Sequence, residues 1–343
     1  MPPRRTCIFH VGLPKTGSSS IQALLRGRTA ELLEDGIRFP APGPGVDRAL
    51  IGGRIPHADL LQHFYTLARP SIPQLIDYDL AIAQSRRDPP GSTLLLTHEV
   101  QALHGHNARR ELFAGLGETH DIRFICYLRN PSSWLASYYE QAISQPNGFH
   151  APPAQHFAVR AYIEKGFRGL MAPFRDLGRV ELHDFDSLRS GEELVPHFLQ
   201  IVGADALVTA AGAAPRVNTH AYAPEQLTIM RHLKAQEGID AGLFMRVRDL
   251  FDLFNATSMR RRSPIVMFPA ELREAIERQG EQDRDALSGE VTLAGAAPKL
   301  ESGPYRDDPE VMEAMAVFVG TSHDAEAAAT IRRAAAVSDS LAM

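Results

Sequence analysis

The chain has 343 residues with 44% apolar and 22% charged side chains, enough to fill the core of one large or two modest domains. Its net charge of -5 argues against a general nucleic-acid binder, which usually carries a basic excess, while leaving room for a local positive pocket. The first apolar run stops at Pro14 and no run reaches about 18 apolar residues, so the expectation is a soluble cytoplasmic protein with no signal peptide, spanning helix or membrane partner.

Residues 6–13 (TCIFHVGL) form a short apolar, β-branched run and predict a strand. A Gly- and Ser-containing turn follows. From Ser18 the pattern becomes helical, with Ile21, Leu24, Leu25, Leu32 and Leu33 in one apolar stripe and Gly36 as the stop. Residues 41–56 are rich in Pro and Gly and predict a long loop, and helical patterns cover 57–68 and 74–87. The continuous apolar runs 93–97 (TLLLT) and 122–128 (IRFICYL) have the look of buried parallel strands. Cys7 and Cys126 fall within such runs; two thiols make neither a disulfide framework nor a zinc site, so both predict small buried hydrophobes in a reducing compartment.

A helix is expected over 131–145, with Pro131 tolerated in its first turn, then a strand over 180–185 and a helix over 193–202. Strands alternating with helices predict an α/β fold, a parallel sheet flanked by helices in three layers. From about residue 204 the pattern is mainly helical, over 224–236, 241–254 and 269–287, with a loop-like stretch at 289–309. We expect one domain over 1–320 and a helix or frayed tail over 321–343.

Two segments carry chemistry. In the first, Pro14, Lys15, Thr16, Gly17, Ser18, Ser19 and Ser20 sit between the first strand and the first helix. Free N–H groups and the dipole at a helix N-terminus favour an anion. Gly17 permits a sharp turn, Lys15 adds a full charge, and four hydroxyls add donors. Gly12 and Gly17 have the spacing of a Walker A loop, but Lys15 precedes Gly17 instead of following it. The second segment runs from Tyr127 to Tyr139, off the end of a predicted strand and along the next helix. Ligands of open α/β sheets sit outside the carboxyl ends of the strands, which puts Arg129 in the same layer as Lys15.

Together PKTGSSS at 14–20 and RNPSSWLASYY at 129–139 resemble the two nucleotide-binding motifs of sulfotransferases that use 3'-phosphoadenosine 5'-phosphosulfate (PAPS). The likeness is to the bacterial and carbohydrate-type branches of that family and covers about the first half of the chain plus the strand near residue 180. It implies a P-loop-type α/β fold in which the first motif holds the 5'-phosphosulfate, while Arg129 and Ser137, eight positions apart, hold the 3'-phosphate. The late Arg-Lys-Gly segment of the cytosolic branch is absent. Arg216, in the stretch Arg-Val-Asn-Thr-His at 216–220, is a further candidate for the nucleotide site, with a plain loop as the alternative.

The implied reaction is in-line sulfuryl transfer to a hydroxyl, with Lys15 stabilising the leaving phosphate and 3'-phosphoadenosine 5'-phosphate (PAP) as product. No metal is expected, since a sulfuryl group carries less charge than a γ-phosphate. The acceptor needs a base. The run 93–97 leads into His98 and Glu99; strand alternation sets Thr97 and Glu99 on one side and His98 with Leu94 and Leu96 on the other, which favours Glu99 and keeps His98 as the alternative. The expected partner is a carbohydrate or other small polyhydroxyl acceptor, and the loops at 41–56 and 145–153 are candidates for its rim. Oligomeric state is left open. The rival readings are a P-loop kinase or nucleotide hydrolase, which would take ATP or GTP with Mg²⁺, and a non-catalytic PAP- or PAPS-binding protein.

Overall fold

The computed structural model describes residues 3–39, 84–97, 115–144, 153–188, 193–210, 222–235, 240–257, 268–293 and 309–341. Its short apolar runs pair into one parallel sheet. Strands β1 (Arg5–His10), β2 (Ile37–Arg38), β3 (Thr93–Thr97), β4 (His120–Leu128) and β5 (Arg179–Asp184) lie in the order β2-β3-β1-β4-β5. The protein is therefore an α/β protein with a parallel sheet flanked by helices. The chain leaves β1 toward one edge and later crosses to β4 on its other side, so the carboxyl ends of β1 and β4 form a topological switch point, where such sheets open a crevice.

Register sets the two faces of the sheet. His10 pairs with Thr97 and Ile125, and Tyr127 pairs with His183. On one face Ile8, Leu95 and Ile125 pack with Ile21 and Leu25 of α1 (Ser18–Gly27), and further along the strands the same face carries His10, Thr97, Tyr127 and His183. On the other face Phe9 meets Phe124, which packs on Phe174 of the helix Gly166–Arg175. Cys7 and Cys126 are fully buried, and burial pushes both thiols up to about 12, leaving them protonated.

The stripe expected to continue from Ser18 to Gly36 is two helices. Its second part is α2 (Thr29–Glu34), and Gly27 and Arg28 break the run, with Arg28 at φ −128°, ψ 24°. Glycine is a poor helix former and the break shifts the phase. As a result Leu32 is buried whereas Leu33, expected in the stripe, is 51% exposed. The strand predicted over 6–13 ends at His10. Strand β2 has two residues, too few to show a period, and it is held at the edge by pairing with Thr93 and Leu94.

Two compact units are present. The first holds the sheet: residues 1–129, 165–217 and 283–295. In it Asp283 accepts hydrogen bonds from the N–H groups of Phe167 and Arg168, capping Gly166–Arg175 from a distant part of the chain. The helix α6 of this unit, Leu194–Val202, lies over the sheet through Leu194, Val195, Phe198 and Leu199 (α3, Pro131–Ser144, α4, Ala154–Ala158, and α5, Gly166–Arg175, precede it).

The second unit comprises 130–164, 218–282 and 296–343. It is helical, and its core is aromatic. Trp134, fully buried on α3, stacks on Tyr138 and meets Tyr162 edge-on, while Tyr139 packs on Phe268. Glu140 accepts from the N–H of Tyr222, and the helix Ala325–Leu341 packs on Pro224–Ala235 and Ala241–Thr257. Among the described residues no helix is long and apolar enough to cross a membrane.

Candidate functional site

The loop between β1 and α1 is built around two glycines and a lysine with positive φ. Lys15 has φ 65° and Gly17 φ 78°, so the backbone passes through the left-handed region twice in three residues. Only glycine enters that region freely, which makes Lys15 the strained member. Gly17 is the N-cap of α1 and has no side chain with which to cap it. The N–H groups of Ser18 and Ser19 thus open the helix without acceptors of its own, the electropositive end that favours an anion. A Cβ on Gly17 would stand 2.1 Å from Leu194 Cδ2, so the loop lies directly on α6.

The serines and threonine divide the work. Thr16, expected among the anion donors, is fully buried and its hydroxyl donates to the Leu13 carbonyl at 2.7 Å, closing the turn. Ser18 is buried, and among the described residues its Oγ has no hydrogen-bond partner. Ser19 and Ser20 are half-buried on the first turn of α1, as are Lys15 and Gly17 in the loop, and Pro14 is buried beside Leu13.

Arg129 comes from the end of β4, the strand paired with β1. Its Nη1 donates to the backbone carbonyl of Lys15 at 3.4 Å. Its Nε stands 3.6 Å from Asp186 Oδ1, and the guanidinium lies over the Phe185 ring at 5.7 Å. Asp184, at the end of β5, accepts from the N–H groups of Asp186 and Ser187 and so shapes the turn that carries Asp186. The Lys15 loop and Arg129, 114 positions apart in sequence, are therefore neighbours.

Ser137 lies half-buried on α3 in the helical unit, two turns after Pro131; Asn130 caps that helix by accepting from the N–H of Ser133 at 3.2 Å. His98, Glu99, Arg216 and the rim segments 41–56 and 145–152 lie outside the described residues.

Below the loop lies a polar cluster that sequence reading missed. His10 is fully buried, with Nδ1 3.1 Å from Thr97 Oγ1, and Gln22 of α1 donates to the same oxygen at 3.3 Å. The His10 ring packs on Tyr127 and Phe198 at centroid distances of 5.9 and 5.3 Å. Tyr127 Oη bonds His197 Nδ1 at 3.0 Å, and His183 stands against both at 5.5 and 5.0 Å. Burial, with repulsion from His183, drives the His10 pKa down to about 3, and burial, with repulsion from His197, takes His183 to about 4. All three imidazoles are shifted toward the neutral form, His197 also by burial. The signal available in the sequence was His10 itself, a titratable residue inside an otherwise apolar strand.

The chain matches no family model, and no curated protein matches it.

Proposed function

We propose that the protein is a sulfotransferase of P-loop-type fold that moves a sulfuryl group from PAPS to an acceptor hydroxyl, with a carbohydrate or other small polyhydroxyl compound as acceptor. The observation that carries this reading is the meeting of Arg129 with the Lys15 loop at the carboxyl ends of adjacent strands. The Arg129 guanidinium then lies against the backbone of the Lys15 loop, and that loop runs straight into an uncapped helix N-terminus and the buried Ser18 hydroxyl, which suits an anionic ligand. The likeness of 14–20 and 129–139 to the motifs of that family supports PAPS over other anions. The buried thiols Cys7 and Cys126 fit a reducing, cytoplasmic setting.

PAPS supplies the sulfuryl group and a phosphate leaving group. Lys15 and the N–H groups of Ser18 and Ser19 neutralise the charge that grows on the departing 5'-phosphate, while Arg129 holds the 3'-phosphate. As the new acceptor O–S bond forms and the S–O bond to phosphate breaks, the acceptor proton passes to Glu99, with His98 as the alternative base. Because the groups are held in place by the fold, the catalysis is mainly positioning and charge neutralisation.

The test is thermal stabilisation by PAP against ATP with Mg²⁺. A ligand of the native state raises the melting temperature with the logarithm of its excess over Kd. We expect a shift with PAP; a shift with ATP and none with PAP would reject the reading in favour of a kinase or hydrolase. Glu99→Gln should then abolish turnover and keep PAP binding, whereas a non-catalytic binder has no turnover to lose.

A further inference from the structure

We propose that His10 is a positioning residue for the anion-binding loop: anchored by Thr97, it directs the Ser18 hydroxyl at the 5'-phosphate of the bound nucleotide. This inference rests on the reading of the loop as a nucleotide site.

The geometry runs through one small space. A Cβ placed on Gly12 would stand 2.6 Å from Ser18 Oγ and 3.2 Å from His10 Nε2, so both atoms border the spot that only a glycine leaves open. Both are buried, His10 fully and Ser18 to 2% exposure, and among the described residues neither atom has a hydrogen-bond partner. Buried polar atoms are nearly always satisfied, so a pair lacking partners on either side of one space marks a place built for a polar contact.

The relay takes one tautomer of His10. The Gln22 amide nitrogen can only donate, and Thr97 Oγ1 accepts from it. That leaves the Thr97 hydroxyl proton available to His10 Nδ1, 3.1 Å away, and the relay assigns it there. A neutral imidazole that accepts at Nδ1 carries its proton on Nε2, the nitrogen facing Gly12 and Ser18. On anion binding Nε2–H donates to Ser18 Oγ, a bond that this structure does not contain, and the Ser18 O–H is left to point at an oxygen of the anion. Packing by Tyr127 and Phe198 holds the ring in that plane. The relay Gln22–Thr97–His10–Ser18 moves no net charge. It orients one donor, and it joins the loop to β3.

Three measurements test it. In the free protein the ¹⁵N shifts of His10 should report the proton on Nε2; a proton on Nδ1 overturns the relay whatever the nucleotide. In a double-mutant cycle read by PAP titration, His10→Asn and Ser18→Ala should each weaken binding about tenfold, and His10→Asn should add nothing once Ser18 is alanine. His10→Gln, whose amide nitrogen reaches the Nε2 position, should restore most of the affinity, and with PAPS as substrate KM should move with these changes more than kcat. Thr97→Val cuts the relay at its anchor and replaces His10→Asn in the cycle if that variant does not fold. Additive losses, or no difference between the Gln and Asn variants, overturn the role of His10 while leaving the nucleotide site standing. No PAP binding by the unaltered protein overturns both.

Discussion

The Arg129 guanidinium reaches the backbone carbonyl of Lys15 at 3.4 Å and stands 3.6 Å from the Asp186 carboxylate. One cation thus ties the β1 loop to the turn after β5, and the same cation is assigned to a phosphate. A carboxylate held against it competes with that phosphate, so Asp186→Asn should tighten PAP binding several-fold, an effect largest at low salt. A titration showing weaker binding would instead make Asp186 the group that holds Arg129 in its working position.

Gly17→Ala should abolish PAP binding and destabilise the protein. The new methyl is placed in a left-handed conformation, which costs roughly 1 kcal/mol, and it collides with Leu194, adding about 1–3 kcal/mol for overpacking. Urea unfolding measures the loss. A stability within about 0.5 kcal/mol of the unaltered protein would mean that α6 yields easily.

Lys15 adopts the positive φ that glycine adopts without strain. Lys15→Gly should therefore melt no lower than the unaltered protein while losing turnover by about 10²-fold or more, since the charge on the leaving phosphate goes unbalanced. A substantial fall in melting temperature together with lost turnover would assign Lys15 a structural role in place of a chemical one.

The buried imidazoles give a pH dependence whose sign follows from their lowered pKa values. An unfolded histidine titrates near 6.5, whereas folded His10 is held to about 3 and His183 to about 4. Below pH 6.5 the unfolded chain takes up protons that the folded chain refuses, so stability present above that pH declines toward pH 4 and then 3. His10 alone contributes a slope of up to about 1.4 kcal/mol per pH unit, and His183, more open to solvent, adds less. Urea midpoints between pH 6.5 and 5 should fall with acidification, and less steeply in His10→Gln. Equal slopes in the two proteins would contradict the assignment.

Much of the fold was legible because its signals are local. The apolar runs at 93–97 and 122–128, the stripe from Ser18 and the Pro131 start of α3 each depend on neighbours within a few residues. The errors also had local causes. Gly27 and Arg28 interrupt a stripe whose apolar residues look continuous, and β2 is too short to show any pattern and forms through its pairing with β3. The helices Ala154–Ala158 and Asp205–Ala210 are likewise short.

The sequence by itself determined a phosphate-suited turn after the first strand and an arginine at the end of a later one, because backbone freedom, charge and hydroxyl content belong to the residues themselves. Tertiary structure alone decided which of these lie together. Parallel pairing of β1 with β4 sets Arg129 beside Lys15, and pairing with β3 brings Thr97 to His10 from 87 positions away. It also turned Thr16 inward to the Leu13 carbonyl and left Ser18 facing Gly12. Side chains distant in sequence acquire a common function through strand register, and register is settled by the packing of the whole sheet.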